Sequence, residues 1–527
     1  MVAAISWVTK RPKTGRDASV ARRARRREGS DVLFDISELA SGTELRARVC
    51  VVGAGAAGIT LARRLAASGL EVLLLESGGL RLEPDIQALY HGATGAVRYL
   101  PLEAVRLRYL GGTTNHWTGQ SVPLDATDFQ TRSWVPDSGW PIAYDEYLHH
   151  LDEARSVCEV PAGTFDYAEA VKNYGIAPFP RIRGLQPVLL RFSPAPRFGE
   201  RDRPDLQGNS NIRCCLHASC LGLSMDVNGQ RVAWATVGSL EGRRIRVFAD
   251  CFVLAAGSIE NSRLLLLSRR PSGVALGNEY DMVGRFFMEH PYAELYHTTL
   301  SQAAAASYFA VAGLKLDGSR ARRDARFQHS VQAQEGLLNH TFYFRVLPDG
   351  PPDESFGEHL TRLWDKVNAK TLGAERRGSY SLRIRLEHAP HADSRITLLD
   401  ARDALGSQMA KVDLRFGEIE TRTIRYVQDR VARAIGQAGF GRTKLDPAGV
   451  ERWVERAGWQ YHHVGGARMN HSSRRGVVDA NCRVHGTGNL YVAGSAVFPT
   501  SGHANPTMNL LSLTLRLGDH LAKELAA

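Results

Sequence analysis

The chain has 527 residues, of which 43% are hydrophobic and 23% are charged, and its formal net charge is +11. This length exceeds that of one ordinary domain, so two domains or one large split domain are expected. No apolar run approaches the length of a membrane-spanning helix, which excludes an integral membrane protein.

The positive charge is concentrated at the N terminus. Residues 1–30 carry nine Lys and Arg against two acidic residues, a net of +7, which leaves +4 for the rest of the chain. The segment has no apolar periodicity, so we predict that residues 1–40 form a disordered basic leader. No apolar stretch follows its arginine pairs, so they are not an export signal. Because most of the excess charge lies in this segment, we expect no nucleic-acid partner. The alternative is an arm that binds RNA or a membrane. Full retention of function after deletion of residues 1–40 would exclude that alternative.

The seven cysteines form no C-x-x-C pair and no spacing typical of a zinc site. Cys50 and Cys251 lie inside apolar, strand-like runs, where we expect small buried side chains. The sequence therefore predicts no metal site, no structural disulfides and a reducing, cytoplasmic location.

The stretch RVCVVGAGAAGITLARRLAASGLEVLLLESGG (48–79) predicts a strand–turn–helix–strand unit. An apolar strand, Val49–Val52, runs into a G-x-G-x-x-G motif, and an amphipathic helix follows to about Ser68. A second strand, Val72–Leu75, ends at Glu76. A lone G-x-G-x-x-G is weak evidence, but this one stands in the context that dinucleotide binding requires.

Each residue of this motif has a physical role in such a unit. Gly53 permits a tight turn, Gly55 lets a pyrophosphate approach the backbone, and Gly58 lets the helix pack on the strand. Free N–H groups at the start of the helix stabilise the phosphate charge. Glu76 is placed to bind ribose hydroxyls, and its negative charge disfavours a 2′-phosphate. The unit alone does not distinguish FAD from NAD.

Two later stretches carry similar turns. In RRIRVFADCFVLAAGSIENSRLLLLS a buried strand is predicted to end near Ala255, in front of a helix that begins near Ile259. A third stretch predicts a strand, Leu490–Ala493, followed directly by Gly494. Glycine turns so far apart indicate a nucleotide site assembled from several segments of the chain.

With these segments the chain resembles the glucose–methanol–choline (GMC) oxidoreductase family of FAD enzymes from about Arg46 to Leu525. The motifs that carry the resemblance are GAGAAG, LLLESGG, RYLGGTTNHWTGQS (108–121), VLAAGSIENSRLLLLS, VGRFFMEHP, EHAPHADSRITL (387–398), HHVGGARM and GSAVFPTSGHANPTMNLLSLTLRLGDHL. Among them, GGTTNHWT, HHVGGARM and ANPT are most similar to the pyranose-oxidising and sugar or polyol dehydrogenase branches.

The resemblance implies an α/β fold. A Rossmann-like FAD-binding domain, of the type also found in p-hydroxybenzoate hydroxylase, is expected to interleave with a substrate domain built on an antiparallel sheet. The FAD-binding domain is expected to comprise residues 41–125, 206–290 and 456–527. The substrate-binding domain is expected to comprise residues 126–205 and 291–455.

Two stretches of the expected substrate domain carry their own signals. In YSLRIRLEHAP, Leu382, Ile384 and Leu386 face one way and the intervening arginines, Arg383 and Arg385, face the other, as in a half-buried antiparallel strand. The stretch LDGSRARRDARFQ (316–328) is predicted to be a charged, mobile loop at the pocket entrance or at a subunit contact.

The motifs also imply which residues contact FAD. These are Gly53, Gly55, Ala56, Ala57, Gly58, Glu76, Gly112, Thr113, Asn115, His116, Trp117, Cys220, Ala256, Gly257, Gly494, Ser495, Asn505, Pro506 and Thr507. In related sugar and choline oxidases a histidine at the place of His116 is covalently joined to the flavin, whereas other members hold FAD without a covalent bond. The resemblance leaves both possibilities open.

The stretch YHHVGGARM (461–469) contains two adjacent histidines. In the family the catalytic base opens an H-x-x-G stretch, which places the base at His462 and makes His463 its neighbour. Adjacent residues of an extended segment point to opposite faces, so one histidine of the two faces the flavin. The resemblance therefore assigns the base to His462, and we expect His463 to be a hydrogen-bonded histidine of the substrate pocket.

The stretch PTSGHANPTMN (499–509) supplies the partner of that base. The family has histidine or asparagine at this position, which falls on Asn505. Asn505 also has the residue type of a helix N-cap, and Pro506 then opens an apolar helix, Thr507–Leu525, whose positive end faces the site. His503 lines the substrate pocket or is a loop histidine bonded to the backbone.

The implied function is the FAD-dependent oxidation of a secondary alcohol of a sugar, glycoside or polyol to a ketone. Oxygen, a quinone or another acceptor takes the electrons. The alternatives are a GMC dehydrogenase of a non-sugar alcohol with a quinone or cytochrome acceptor, and a non-redox lyase on the same fold.

Overall fold

The computed structural model describes residues 32–179, 182–301, 314–347 and 377–526. Its strands are β1 (Leu33–Asp35), β2 (Glu44–Val52), β3 (Val72–Leu75), β4 (Gly92–Thr94), β5 (Gln120–Ser121), β6 (Leu185–Phe192), β7 (Ile212–Leu216), β8 (Ser219–Met225), β9 (Val232–Gly238), β10 (Arg244–Leu254), β11 (Pro291–Ser301), β12 (Leu314–Leu316), β13 (Ser319–Phe327), β14 (His340–Val346), β15 (Arg377–Leu386), β16 (Arg395–Arg402), β17 (Gln408–Asp413), β18 (Gly441–Lys444), β19 (Gly458–Trp459) and β20 (Leu490–Val492).

The α-helices are α1 (Ala56–Ala67), α2 (Pro84–Ala88), α3 (Ala126–Phe129), α4 (Tyr144–Leu148), α5 (Leu151–Val157), α6 (Tyr167–Tyr174), α7 (Phe198–Arg201), α8 (Arg203–Gly208), α9 (Ser258–Leu267), α10 (His329–Glu335), α11 (Glu418–Gln437), α12 (Pro447–Glu451), α13 (Trp453–Arg456) and α14 (Pro506–Ala526). Short 3-10 helices lie at Ile36–Glu38, Gly112–Asn115 and Ser495–Val497. In the described part of the chain, no helix combines the length and apolar character needed to cross a bilayer.

The first sheet has the strand order β1-β7-β3-β2-β10-β9-β8, and β20 pairs with β10. Six strands run parallel to one another: β1, β7, β3, β2, β10 and β20. β9 pairs antiparallel with β10 on one side and with β8 on the other. Val52 is in register with Leu75 and Leu254, and Leu254 is in register with Val492. The turns that follow β2, β3, β10 and β20 therefore meet at one edge of the sheet.

The second sheet is antiparallel and has the order β18-β11-β15-β14-β13-β6-β5, with β12 on β13 and β19 on β11. Leu382, Ile384 and Leu386 of β15 are buried in a core to which α11 contributes Ile424 and Val427. The alternation predicted for this strand is therefore confirmed. A third, three-stranded sheet has the order β16-β17-β4.

This arrangement confirms the predicted fold class, a Rossmann-like α/β unit interleaved with an antiparallel sheet. The assignment of segments to the two domains stays a prediction, and some strand pairs cross its boundaries, including that of Gly92–Thr94 with β17. Gln120–Ser121 was assigned to the FAD-binding domain but pairs with β6 of the antiparallel sheet. Gly458–Trp459, from the third segment of that domain, pairs with β11.

The predicted leader is wrong at its C-terminal end. Leu33–Asp35 pairs in parallel with β7, and the Asp35 side chain caps the 3-10 helix Ile36–Glu38. Phe34 and Ile36 are buried in the main core, so this end of the segment is held by apolar contacts that its basic neighbours obscure. Residues 1–31, the rest of the predicted leader, lie outside the described residues.

The prediction of a mobile loop at 316–328 is also wrong. Most of this stretch is β13, which pairs with β6 along seven residues from Ala321 to Phe327. Ala321, Ala325 and Phe327 alternate into the cores, while Arg326 forms an ion pair with Asp125. The arginines hid the period-two pattern of a strand, since Arg322 and Arg326 are largely buried against Asp324 and Asp125.

Candidate active site

One cavity of about 440 Å³ opens where β2, β3, β10 and β20 end. This edge is where parallel α/β sheets bind their ligands. The predicted site residues that line the cavity are Gly53, Gly55, Ala56, Ala57, Glu76, Gly112, Thr113, His116, Trp117, Cys220, Ala256, Gly257, His462, His463, Gly494, Ser495, Asn505, Pro506 and Thr507. Gly58, Asn115 and His503 are absent from its wall. Segments separated by hundreds of residues thus meet at one site.

The glycines of the first turn differ in what surrounds them. Gly53 has a φ of +103°, and a Cβ on Gly58 would lie 1.8 Å from the carbonyl oxygen of Gly53. A Cβ on Gly55 would have no protein atom within 4 Å, although Gly55 lines the cavity. Gly53 and Gly58 are therefore required by the protein itself, whereas Gly55 leaves room for a ligand.

Glu76 stabilises the turn in addition to lining the cavity. Its carboxylate accepts the backbone N–H of Ala54 and that of Gly78, each at 2.9 Å. Burial raises the pKa of this carboxyl, and these backbone donors oppose the rise. A contact from Glu76 to ribose hydroxyls remains a prediction.

The turns after β10 and β20 complete one side of the cavity. Gly257 has a φ of +84° and precedes α9, and the Asn261 side chain accepts the N–H of Ala256 at 2.8 Å. Ser495 donates its hydroxyl to the carbonyl of His463 at 2.6 Å, which joins this turn to the histidine segment. Glycine in these turns keeps backbone close to the cavity without a side chain between them.

The GGTTNHWT segment forms the opposite side. Asn115 donates to the carbonyls of Leu110 and Gly112, each at 3.0 Å, so it shapes the turn from behind the wall. His116 lies on the wall, and burial lowers its pKa, with a smaller contribution from Arg197. His116 therefore lines the cavity, and a covalent bond from it to a flavin stays a prediction.

The two expected catalytic residues lie together. The side-chain nitrogen of Asn505 is 3.3 Å from Nε2 of His462, and both residues line the cavity. Asn505 precedes α14, whose first residue is Pro506 as predicted. Burial lowers the pKa of His462 well below the usual range, and the nearby His290 and Arg385 lower it further. His462 is therefore neutral, the form that can accept a proton.

His463 is held by a different set of contacts. Its Nε2 lies 2.9 Å from the hydroxyl of Tyr99, which donates to Glu289 at 2.7 Å. Because that hydroxyl donates to a carboxylate, Nε2 of His463 donates to it in turn. The structure places His463 in a buried hydrogen-bond chain as well as on the cavity wall.

Glu289 was not predicted as a site residue, although it contacts both His290 and His462. Its Oε1 accepts the backbone N–H of His290 and that of His462, each at 2.7 Å. Burial raises its pKa to about 7. Tyr461, just before His462, has a φ of +58°, an uncommon conformation for a bulky residue. Glu289 holds the backbone directly after this strained residue.

His290 and Arg385 were also missed as site residues. Nδ1 of His290 lies 2.9 Å from Nδ1 of His462. A guanidinium nitrogen of Arg385 lies 3.4 Å from the Asn505 oxygen, and the side chain is only 5% exposed. Burial lowers the pKa of Arg385 to about 10, which leaves it charged at neutral pH. The arginine face of β15, expected to be the outer face, therefore reaches the site at Arg385.

His503 lies outside this group. It is 1% exposed, and its Nδ1 is 3.5 Å from an oxygen of Asp125. Asp125, Asp128 and His503 are close enough to surround an ion. However, Arg326 already occupies both oxygens of Asp125, and Asn339 donates to both aspartates. A positive guanidinium at this position opposes a metal cation.

The wall of the cavity fits a dinucleotide. The N-cap residues of α1 and α9 are glycines with no side-chain hydrogen bond, so the first N–H groups of both helices lack a side-chain cap. A pyrophosphate placed there would satisfy such donors and interact with the helix dipole. The start of α14 lies at the far end of the same wall, beside His462. Fold and site together define a dinucleotide-dependent oxidoreductase.

The chain resembles known oxidoreductases in sequence. The GMC oxidoreductase family matches residues 390–514. The chain is 25% identical to the fructose dehydrogenase large subunit of Gluconobacter japonicus, over 92% of this chain and 99% of that protein. It is also 25% identical to the 6'''-hydroxyparomomycin C oxidase of Streptomyces lividus, over 91% of this chain and 92% of that protein.

Solved structures show the same fold at lower identity. The pyridoxine 4-oxidase structure from Mesorbium loti aligns with a TM-score of 0.59 and 20% identity over 90% of this chain and 99% of that one. A formate oxidase structure aligns with a TM-score of 0.56 and 17% identity over 92% and 99%. Residues 390–514 thus match the GMC oxidoreductase family, and the whole chain is similar to a dehydrogenase and to oxidases.

Proposed function

We propose that this enzyme oxidises a secondary alcohol of a sugar, glycoside or polyol to a ketone. The observation that carries the proposal is the pair of His462 and Asn505, whose side chains lie 3.3 Å apart on the cavity wall. The fructose dehydrogenase and the aminoglycoside oxidase to which the chain is similar support a polyhydroxylated substrate.

Several parts of the chain would hold the cofactor. The turns at Gly55 and Gly257 would bind the pyrophosphate, and Glu76 would bind the ribose at the end of β3. The start of α14 would stabilise negative charge at the ring. FAD, when bound, supplies the ring that accepts the hydride from the alcohol carbon.

The residues beside the substrate would divide the remaining work. His462, neutral and facing the cavity, takes the hydroxyl proton at Nε2. Asn505 donates from its side-chain nitrogen to the oxygen on which charge develops. Arg385 lies behind Asn505 and adds positive potential at the same place, because it stays charged in a buried setting. Proton removal and charge stabilisation thus fall to neighbouring side chains.

A substrate panel tests this function. Sugars, glycosides, polyols and simple alcohols would be mixed with the holoenzyme anaerobically and in air, and the bleaching of flavin absorbance followed. We expect bleaching by a polyhydroxylated substrate and formation of its ketone. Bleaching only by a non-sugar alcohol would favour the alternative dehydrogenase. Turnover of a substrate without any bleaching would indicate the lyase. Recovery of colour in air would show whether oxygen accepts the electrons or a quinone or cytochrome is needed.

Acid precipitation decides between the two modes of cofactor attachment. If FAD is joined to His116, the yellow colour stays with the precipitated protein, and His116→Ala releases it. If FAD is held without a covalent bond, the colour of the wild type passes into the supernatant.

A further inference from the structure

His290 forms contacts that define which of its nitrogens carries hydrogen. Its Nε2 lies 2.9 Å from the carbonyl oxygen of Gly502 and 3.3 Å from that of Ser501. Carbonyl oxygens only accept hydrogen bonds, so Nε2 must be the donor. The side chain is fully buried, and burial lowers its pKa to about 4. His290 is therefore neutral at physiological pH, with its lone pair on Nδ1.

That lone pair points at the base. Nδ1 of His290 lies 2.9 Å from Nδ1 of His462, and the two rings are perpendicular with centroids 5.1 Å apart. Two lone pairs at this distance would repel each other, so one nitrogen must donate. Since the hydrogen of His290 is engaged at Gly502, the donor is Nδ1 of His462.

We infer that His290 is a positioning residue that fixes His462 as its Nδ1–H tautomer, so that Nε2 keeps its lone pair and can accept a proton. In the opposite tautomer Nε2 would already carry a hydrogen, and His462 could not take the proton of an alcohol there. The assignment of the tautomer rests on the contacts of His290 and on its neutral state; its catalytic consequence rests on the function proposed above.

The amides beside His462 do not decide its tautomer. Asn505 presents its nitrogen to Nε2 of His462 and its oxygen to Gln120, whose nitrogen donates at 2.9 Å. A turned Gln120 amide would instead accept from two guanidinium nitrogens of Arg385, at 2.9 and 3.1 Å. The tautomer of His462 is therefore assigned from the contacts of His290 and not from these amides.

Two variants separate this role from simple packing. His290→Asn keeps an acceptor near the position of Nδ1, whereas His290→Leu keeps the bulk without an acceptor. Loss of the correct tautomer costs about 10⁴-fold in a serine protease triad, and we expect a smaller loss of about 10²-fold for His290→Leu because the tautomer is freed and not inverted. We expect this loss in the rate of flavin reduction, with substrate KM and FAD content unchanged. His290→Asn should stay within about tenfold of wild type.

The tautomer itself is read without turnover. Nitrogen-15 NMR of histidine-labelled protein, assigned by the signal lost in His462→Gln, reports which nitrogen of His462 carries hydrogen. We expect hydrogen on Nδ1 in the wild type and in His290→Asn, and a mixture in His290→Leu. Hydrogen on Nε2 in the wild type, or unchanged tautomer and rate in His290→Leu, would overturn the inference. If the wild type shows the expected tautomer but none of the alcohols tested reduces its flavin, the proposed function is refuted and the tautomer assignment is not.

Discussion

The carboxylate of Glu289 accepts the backbone N–H of His462 at 2.7 Å, across 173 residues of chain. The same oxygen accepts the N–H of the adjacent His290 at 2.7 Å. One buried carboxylate thus fixes the backbone of the base and of the residue that contacts it. The spacing between the two imidazoles follows from this shared acceptor, which makes Glu289 a good point at which to perturb the site.

We expect Glu289→Ala to damage both stability and rate. It leaves two backbone donors and the Tyr99 hydroxyl without an acceptor, and each unsatisfied buried group costs about 1–3 kcal/mol. Glu289→Gln is the matched control, because its amide oxygen still accepts both N–H groups. Thermal unfolding and flavin reduction should place Glu289→Gln nearer to wild type than Glu289→Ala. Equal losses in both variants would show that the carboxylate charge matters, not the shared acceptor.

The two adjacent histidines should differ in their effect on rate. His462→Ala should slow flavin reduction by about 10²- to 10⁴-fold, the usual contribution of a positioned base. His463→Ala breaks the contact to Tyr99 and should lower stability, with reduction within about tenfold of wild type. Stopped-flow reduction by the best substrate measures both. If His463→Ala were the inactive variant, the two roles would be exchanged.

Two glycines of the first turn should separate folding from cofactor binding. Gly58→Ala places a Cβ 1.8 Å from the Gly53 oxygen, and we expect a loss of stability of about 1–3 kcal/mol from overpacking. Gly55→Ala meets no protein atom within 4 Å, so its melting temperature without cofactor should match that of wild type. Its FAD content after purification should nevertheless fall, because the Cβ faces the cavity. Full FAD content in Gly55→Ala would place the pyrophosphate elsewhere.

Stability should fall as the pH drops below the ordinary histidine range. Burial lowers the pKa values of His290, His340 and His388 to about 4. Such a residue favours the folded state above its unfolded pKa of about 6.5, and this contribution is lost as pH falls toward 4. Glu289 and Glu420, with pKa values raised to about 7, act in the opposite direction between about 4.5 and 7.

The histidines should outweigh these carboxyls, because burial also lowers the pKa values of His462, His463 and His503. Urea unfolding at pH 7.5 and 5.5 measures the difference in free energy of unfolding. Each fully buried histidine should account for about 1 kcal/mol of the loss. His388→Gln should reduce the pH dependence by that amount, whereas His91→Gln, with a side chain 55% exposed, should leave it unchanged. A stability that rises on acidification would contradict this balance.

The sequence was most informative where one short segment carries the whole physical requirement. The first nucleotide unit is an example: the predicted strand Val72–Leu75 has the same bounds in the structure, and the helix Ala56–Ala67 ends one residue before Ser68. Strand, turn and helix there depend on neighbours along the chain. Pro506 at the start of α14 is predictable for the same reason.

The residues that the sequence did not reveal act through distant partners. Glu289 and His290 lie in the VGRFFMEHP motif, but neither they nor Tyr99 carry a local pattern that indicates a role at the site. Their roles appear only when β11 pairs with β19 and brings residues 289–290 beside residues 461–463. Arg385 shows the same limit, because alternation predicted its face correctly but not that this face is itself buried at the site. Which side chains contact one another depends on the tertiary structure, and the spacing of residues along the sequence does not show it.

The late position of α14 in the chain has a consequence for biosynthesis. α14 packs on α1, where Gly518 lies against Leu61, and its first residues line the cavity. A ribosome releases α1 long before α14, so the nascent chain exposes this apolar face while most of the protein is being made. Such exposed faces promote aggregation and chaperone binding. The cofactor site can be completed only after α14 has been synthesised, since His462 and Asn505 follow α1 so late in the chain.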